Sequence, residues 1–156
     1  MLFMLAALPL AGCGFTPVYG TGGAADGLTG RILVAAPKNR VGYELAGRLE
    51  ERLGRTQTPD FKLSYAIKTS AQGVTITSSQ STTRYNLSGD VSYTLVDQAT
   101  GALLTSGAVN SFTGYSAAGT TVATSAAETD AYNRLMIILA DQIVARLLAT
   151  AESWAE

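Results

Sequence analysis

Between Tyr85 and Leu95 the side chains alternate without a break. Tyr85, Leu87, Gly89, Val91, Tyr93 and Leu95 fall on one side of an extended chain, and Asn86, Ser88, Asp90, Ser92 and Thr94 on the other. A period of two is incompatible with a helix and predicts a strand with one face in a core and the other in polar surroundings. The same alternation runs through Phe61, Leu63, Tyr65 and Ile67, with Lys62, Ser64, Ala66 and Lys68 opposite. Asp97-Gln98-Ala99-Thr100-Gly101 is a short turn with glycine last, as in hairpin loops that end in a bulge. It leads into a third strand from Leu103 to Tyr115, so the three strands are expected to form an antiparallel meander.

The segments on either side of the meander follow a different period. Ile32-Leu33-Val34-Ala35-Ala36 is an apolar run stopped by Pro37, which reads as a buried strand. Asn39 is the expected cap of a helix whose Val41, Leu45, Leu49 and Leu53 form one apolar stripe, and Gly54 its left-handed stop. Glu44 with Arg48 and Glu51 with Arg55 stand four apart on its solvated face. Ser125-Ala126-Ala127-Glu128 matches a capping box and predicts the start of a second helix, with Leu135, Leu139, Ile143 and Leu147 as its stripe. Met136, Ile137, Ile138 and Val144 widen that stripe beyond what one sheet face needs. At 156 residues the chain is long enough for one core. The expected fold is α+β: a two-layer sandwich of about four mainly antiparallel strands, with two helices on one face.

Composition then removes whole classes of function. A hydrophobic share of 47% against 15% charged is too apolar for a disordered chain. A formal charge of −1 without a basic run leaves nucleic acid no electrostatic footing. There is no histidine and one cysteine, Cys13, so Ser-His and Cys-His nucleophiles, zinc ribbons and an internal disulfide are all excluded. Asp90 and Asp97, seven apart on one strand, lie on opposite faces and form no catalytic couple. The capping box accounts for Glu128, and the helix dipole for Asp130. No catalytic residue, metal site or cofactor is expected.

Two helices on one face leave the other face of the sheet open. Lys62, Lys68, Asn86, Ser88, Ser92 and Thr94 point outward, and nine of the fifteen residues from Thr69 to Thr83 are Ser or Thr. Such a face is polar but sparsely charged. It suits a polar enclosure such as a barrel lumen, and it equally suits the β propensity of threonine.

Met1 to Leu10 is nearly all apolar yet too short for the roughly 20-residue helix that spans a bilayer. It ends in Leu10-Ala11-Gly12-Cys13, which resembles the bacterial lipobox, although no Lys or Arg precedes it. The resemblance implies a signal peptide over residues 1–12 and acyl chains on Cys13, enough for stable anchoring. From Gly14 to Gly30 six glycines and a proline make a tether. The chain therefore divides into a signal at 1–12, a lipidated tether at 13–30, a single domain at 31–151 and a tail at 152–156. Trp154 in that tail is left between packing on the domain and meeting a membrane interface.

Cys13-Gly14-Phe15-Thr16-Pro17-Val18-Tyr19-Gly20 is similar to the mature N-terminus of the LptE family, above all its alphaproteobacterial members, departing by Val18 for leucine. The likeness continues at Thr83-Arg84-Tyr85-Asn86-Leu87, at Leu95-Val96-Asp97 and at Ala126-Ala127-Glu128-Thr129-Asp130-Ala131. It implies a non-catalytic outer-membrane lipoprotein on the periplasmic side that plugs the LptD barrel, supports its assembly and serves lipopolysaccharide transport. Lipopolysaccharide carries phosphates, and Arg84, Lys62 and Lys68 are the candidate cations to meet them. Two other readings stand beside it: an accessory lipoprotein of a different envelope lipid transporter, and an anchored periplasmic hydrolase.

Overall fold

In a computed structural model the structure describes residues 28–76 and 82–154. The expected signal, Cys13 and the tether as far as residue 27 lie outside the described residues. The elements are β1 (Ile32–Val34), α1 (Arg40–Leu53), β2 (Phe61–Ile76), β3 (Thr82–Asp97), β4 (Leu103–Ser116) and α2 (Thr121–Thr150), followed by a 3-10 turn at Ala151–Ser153. The sheet order is β1-β2-β3-β4. β1 runs parallel to β2, and the other two pairings are antiparallel. This is the α+β sandwich that the periodicities predict.

Strand alternation sets the core. Phe61, Leu63, Leu87, Val91, Tyr93, Leu95 and Val109 are buried from the sheet, against Leu45, Leu49 and Leu53 of α1 and Leu135, Leu139, Ile143 and Leu147 of α2. Met136 and Val144 also belong to this core, whereas Ile137 and Ile138 stay partly exposed. Gly89 lies directly beneath α2: a Cβ there would come within 3.0 Å of both Leu135 and Leu139. The helix can therefore sit close to the middle of β3. The Asp97 carboxylate accepts from the backbone N–H groups of Ala99 and Thr100 and from the Thr100 hydroxyl, which closes the β3–β4 turn. These hydrogen bonds hold its carboxyl below the usual carboxylate range. A bulge follows at Leu95/Val96.

The helix ends differ in how well the sequence foretold them. Asn39 caps α1 as expected, accepting from the Gly42 N–H at 2.8 Å, and Gly54 ends it at φ +78°. α2, however, begins at Thr121 and is capped by Thr120, which accepts from the Ala123 N–H at 3.3 Å. The Ser125–Glu128 box thus lies inside a helix already under way, because nothing between Thr121 and Ser125 interrupts it and an earlier hydroxyl reaches the free N–H groups first. The charges of α1 are also differently paired. Arg48 turns from Glu44 to grip Asp141 of α2 with two nitrogens, at 3.0 and 3.1 Å, and also meets Glu51 at 2.8 Å, while Arg55 pairs with Glu50. A two-pronged guanidinium–carboxylate contact between packed helices outcompetes a solvated four-residue pair.

One end of the sandwich is closed more tightly than the other. At the base, where β1, the start of β2 and the ends of both helices meet, Trp154 packs back on the domain at 7% exposure. Its ring stands edge-on to Phe61 with centroids 5.6 Å apart, and its indole N–H donates to the Thr150 hydroxyl at 3.1 Å. At the tip, Thr69 to Val74 of β2 are exposed whichever way they point, and the buried run of α2 starts only at Ala131.

Candidate functional site: the open face of the sheet

The face turned away from the helices is made by alternate residues of three long strands, and their register arranges it in rows. Lys62 stands beside Val96 and Leu103, Ser64 beside Thr94 and Ser106, and Ala66 beside Ser92 and Ala108. Further along come Lys68 with Asp90 and Asn110, Ser70 with Ser88 and Phe112, and Gln72 with Asn86 and Gly114. Ser70 and Ser88 share a hydroxyl hydrogen bond of 2.8 Å. Lys62, Lys68, Arg84 and Asp90 are the charged members of this face among the described residues.

All three candidate cations are exposed on this one face, but they are not brought together. Lys62 and Lys68 are six residues apart along β2, and Arg84 lies six residues along β3 from Asp90, the neighbour of Lys68. At a rise of about 3.3 Å per residue each interval is about 20 Å. The three form a line from base to tip, so one phosphate can touch one of them at a time.

The helical layer carries the other recess. A cavity of about 220 Å³ lies between the first turn of α1 and the third of α2, lined by Arg40, Val41, Glu44, Glu128, Tyr132 and Met136. Glu128 belongs to this cavity and not to a cap. Asp130 pairs with Arg134 one turn on. Nearby, Tyr85 and Tyr115 stack at 5.1 Å. Burial and the neighbouring Glu128 raise the Tyr115 hydroxyl above its ordinary range. Among the described residues no three Asp, Glu, Cys or His side chains are grouped to hold a metal, and no helix is long and apolar enough to cross a membrane.

With this geometry in place, comparison with protein families decides the relationship. The family model LptE, described as lipopolysaccharide-assembly, matches residues 29–147. The chain belongs to the LptE family. Solved structures carry the same fold. A proposed lipoprotein from Caulobacter crescentus CB15 matches with a TM-score of 0.70 at 23% identity, covering 85% of this chain and 98% of that one. The rare lipoprotein B of Shewanella oneidensis matches at 0.59 and 13% identity, over 80% and 97% of the two chains. A minor lipoprotein of Acinetobacter baumannii matches at 0.57 and 14%, over 79% and 94%. At these identities the likeness speaks for fold alone. No curated protein sequence matches. Within an LptE-family chain the match begins at the base, two residues before Arg31, and ends inside α2, so it takes in the whole sheet.

Proposed function

We propose that this LptE-family protein is an outer-membrane lipoprotein, held by acyl chains on Cys13 and facing the periplasm. It seats the open face of its sheet in the lumen of an LptD-type β-barrel. In that position it supports assembly of the barrel and the passage of lipopolysaccharide to the outer leaflet, and it catalyses no reaction. One observation supports this beyond family membership: three strands of 14 to 16 residues expose a face of hydroxyl, amide and small side chains with few charges. A sheet meant for permanent solvation carries more charge. Burying a hydroxyl that finds a new hydrogen-bond partner costs little, whereas burying a charge costs several kcal/mol, roughly, unless it is paired. A face of this kind loses little on entering a polar lumen. The line of Lys62, Lys68 and Arg84 supplies charge-assisted donors for the phosphates of lipopolysaccharide along the same surface.

The test is affinity isolation of the tagged full chain from detergent-solubilised membranes of its source, with mass spectrometry of the partners and of the Cys13 peptide. The expected result is a stoichiometric large β-barrel and a triacylated Cys13, with the barrel lost in a Ser88→Glu variant that places a charge in the middle of the face. Inner-membrane transporter subunits in place of the barrel, or an unmodified Cys13, would overturn the proposal and favour an accessory lipoprotein of another transporter.

A further inference from the structure

β4 is an edge strand, and its sequence from Leu103 to Ser116 contains neither a charged residue nor a proline. Those are the usual protections of an exposed edge. In an antiparallel ladder each residue turns both its N–H and its C=O toward the same side, alternating along the strand. Ala108 and Gly114 turn theirs away from β3, because Arg146 donates to the Ala108 carbonyl at 2.7 Å and Arg134 to the Gly114 carbonyl at 3.2 Å. By the same alternation Asn110 and Phe112, between them, also face outward along the edge. Among the described residues nothing hydrogen-bonds those two backbones on that side.

The helix frames the same gap. Arg134 and Arg146 lie on α2 with Ile138 and Gln142 at successive four-residue steps between them, so these four form one row along the side of the helix next to β4. Twelve residues of helix span about 18 Å and six of strand about 20 Å, so the two arginines bracket one window on both elements. Phe112 is 75% exposed on the outer side of the window, and Ile138 is 38% exposed on the helix.

We propose that this window accepts the same window of a second copy of the chain, with the two β4 strands antiparallel about a two-fold axis at Ser111. The backbones of Asn110 and Phe112 then exchange hydrogen bonds with Phe112 and Asn110 of the second copy, and the arginine-held carbonyls at either end stay as they are. Two features make a second copy the fitting occupant. The exposed Phe112 rings come diagonally adjacent across the new strand pair, where aromatic side chains reach each other. Arg146, which pairs with no carboxylate among the described residues, arrives beside Gly114 of the other copy, where Arg134 is accompanied by the exposed Asp130. An isologous interface requires this kind of self-complementarity. The proposal does not rest on the barrel reading.

Residues related by the axis are neighbours of themselves only at Ser111, where facing Cα atoms fall within disulfide range. The full chain carrying Ser111→Cys, in isolated membranes under a mild oxidant, is therefore expected to form a covalent dimer. Unsubstituted chain controls for Cys13, and Ser106→Cys, far from its own copy, is expected to stay monomeric. Adding Phe112→Lys to Ser111→Cys is expected to abolish the dimer while leaving the thermal melt unchanged, as befits an exposed position. Cross-linking of Ser111→Cys no faster than of Ser106→Cys would overturn the proposal, as would a dimer indifferent to Phe112→Lys in a chain that still melts normally.

Discussion

At the base of the sheet Phe61, Leu63 and Leu95 are at most 5% exposed, whereas further along β2 the residues from Thr69 to Val74 are open on both faces. The backbone does not change between these regions, since β2 and β3 stay paired from Phe61 to beyond Gly73. What changes is the helix-facing row of side chains. Phe61, Leu63, Tyr65 and Ile67 give way to Thr69, Ala71 and Gly73, which offer little apolar area to remove from water. Both helices cover the first row, and α1 stops short of the second. Burial therefore holds the base, while hydrogen bonds alone hold the tip, and the surface proposed to meet a barrel extends over both.

The sharpest test of this contrast is a pair of truncations. Leu139→Ala in the core is expected to lower unfolding stability by about 2–5 kcal/mol, and Thr69→Ala at the tip to change it by less than about 0.5 kcal/mol, both read from urea transitions. A tip substitution as costly as the core one would break the comparison. Gly89→Val, which forces methyl groups against Leu135 and Leu139, should cost about 1–3 kcal/mol. The same change at Gly73, in an exposed position, should cost clearly less. The helix caps sharpen the picture on a smaller scale. Asn39→Ala removes a cap at the packed end and is expected to cost about 1 kcal/mol, and Thr120→Ala, at a longer and fully exposed contact, measurably less.

The smallest effect expected is a pH dependence confined to the base turn. Hydrogen bonds depress the Asp97 carboxyl in the folded state. Its contribution is thus fully present above the ordinary carboxylate range and disappears as pH falls through the lower folded value. The stability gap between the native chain and Asp97→Asn should accordingly be constant near neutrality and close in acid. A gap that persists at a pH where the carboxyl is protonated would show that the turn does not depend on the charge.

Element order, both helix stripes and the outward placement of Lys62 and Lys68 were legible in the sequence, because each depends on the spacing of side chains along one element. Three features were not, and each depends on what lies across space. β2 continues to Ile76, well past its last alternating apolar residue Ile67, since pairing with β3 needs no apolar side chain. Arg48 prefers Asp141, 93 residues away, to a neighbour on its own helix. Arg134 and Arg146 reach the edge of β4, which no spacing on α2 alone foretells. The candidate surface was likewise readable as a polar face, but its three cations could be seen as a line and not a cluster only once the strand register was known.

Trp154 closing on Phe61 also bears on timing. Phe61 opens the meander, and its ring waits for a partner placed more than ninety residues later, after the whole of α2. The hairpins β2–β3 and β3–β4 join neighbouring segments and can pair as soon as they exist. The base cannot be finished until the last turn has left the machinery that synthesises or exports the chain. A chain halted before that turn carries every strand and both helix stripes, yet presents an unsealed apolar end, the kind of surface that chaperones and proteases act on.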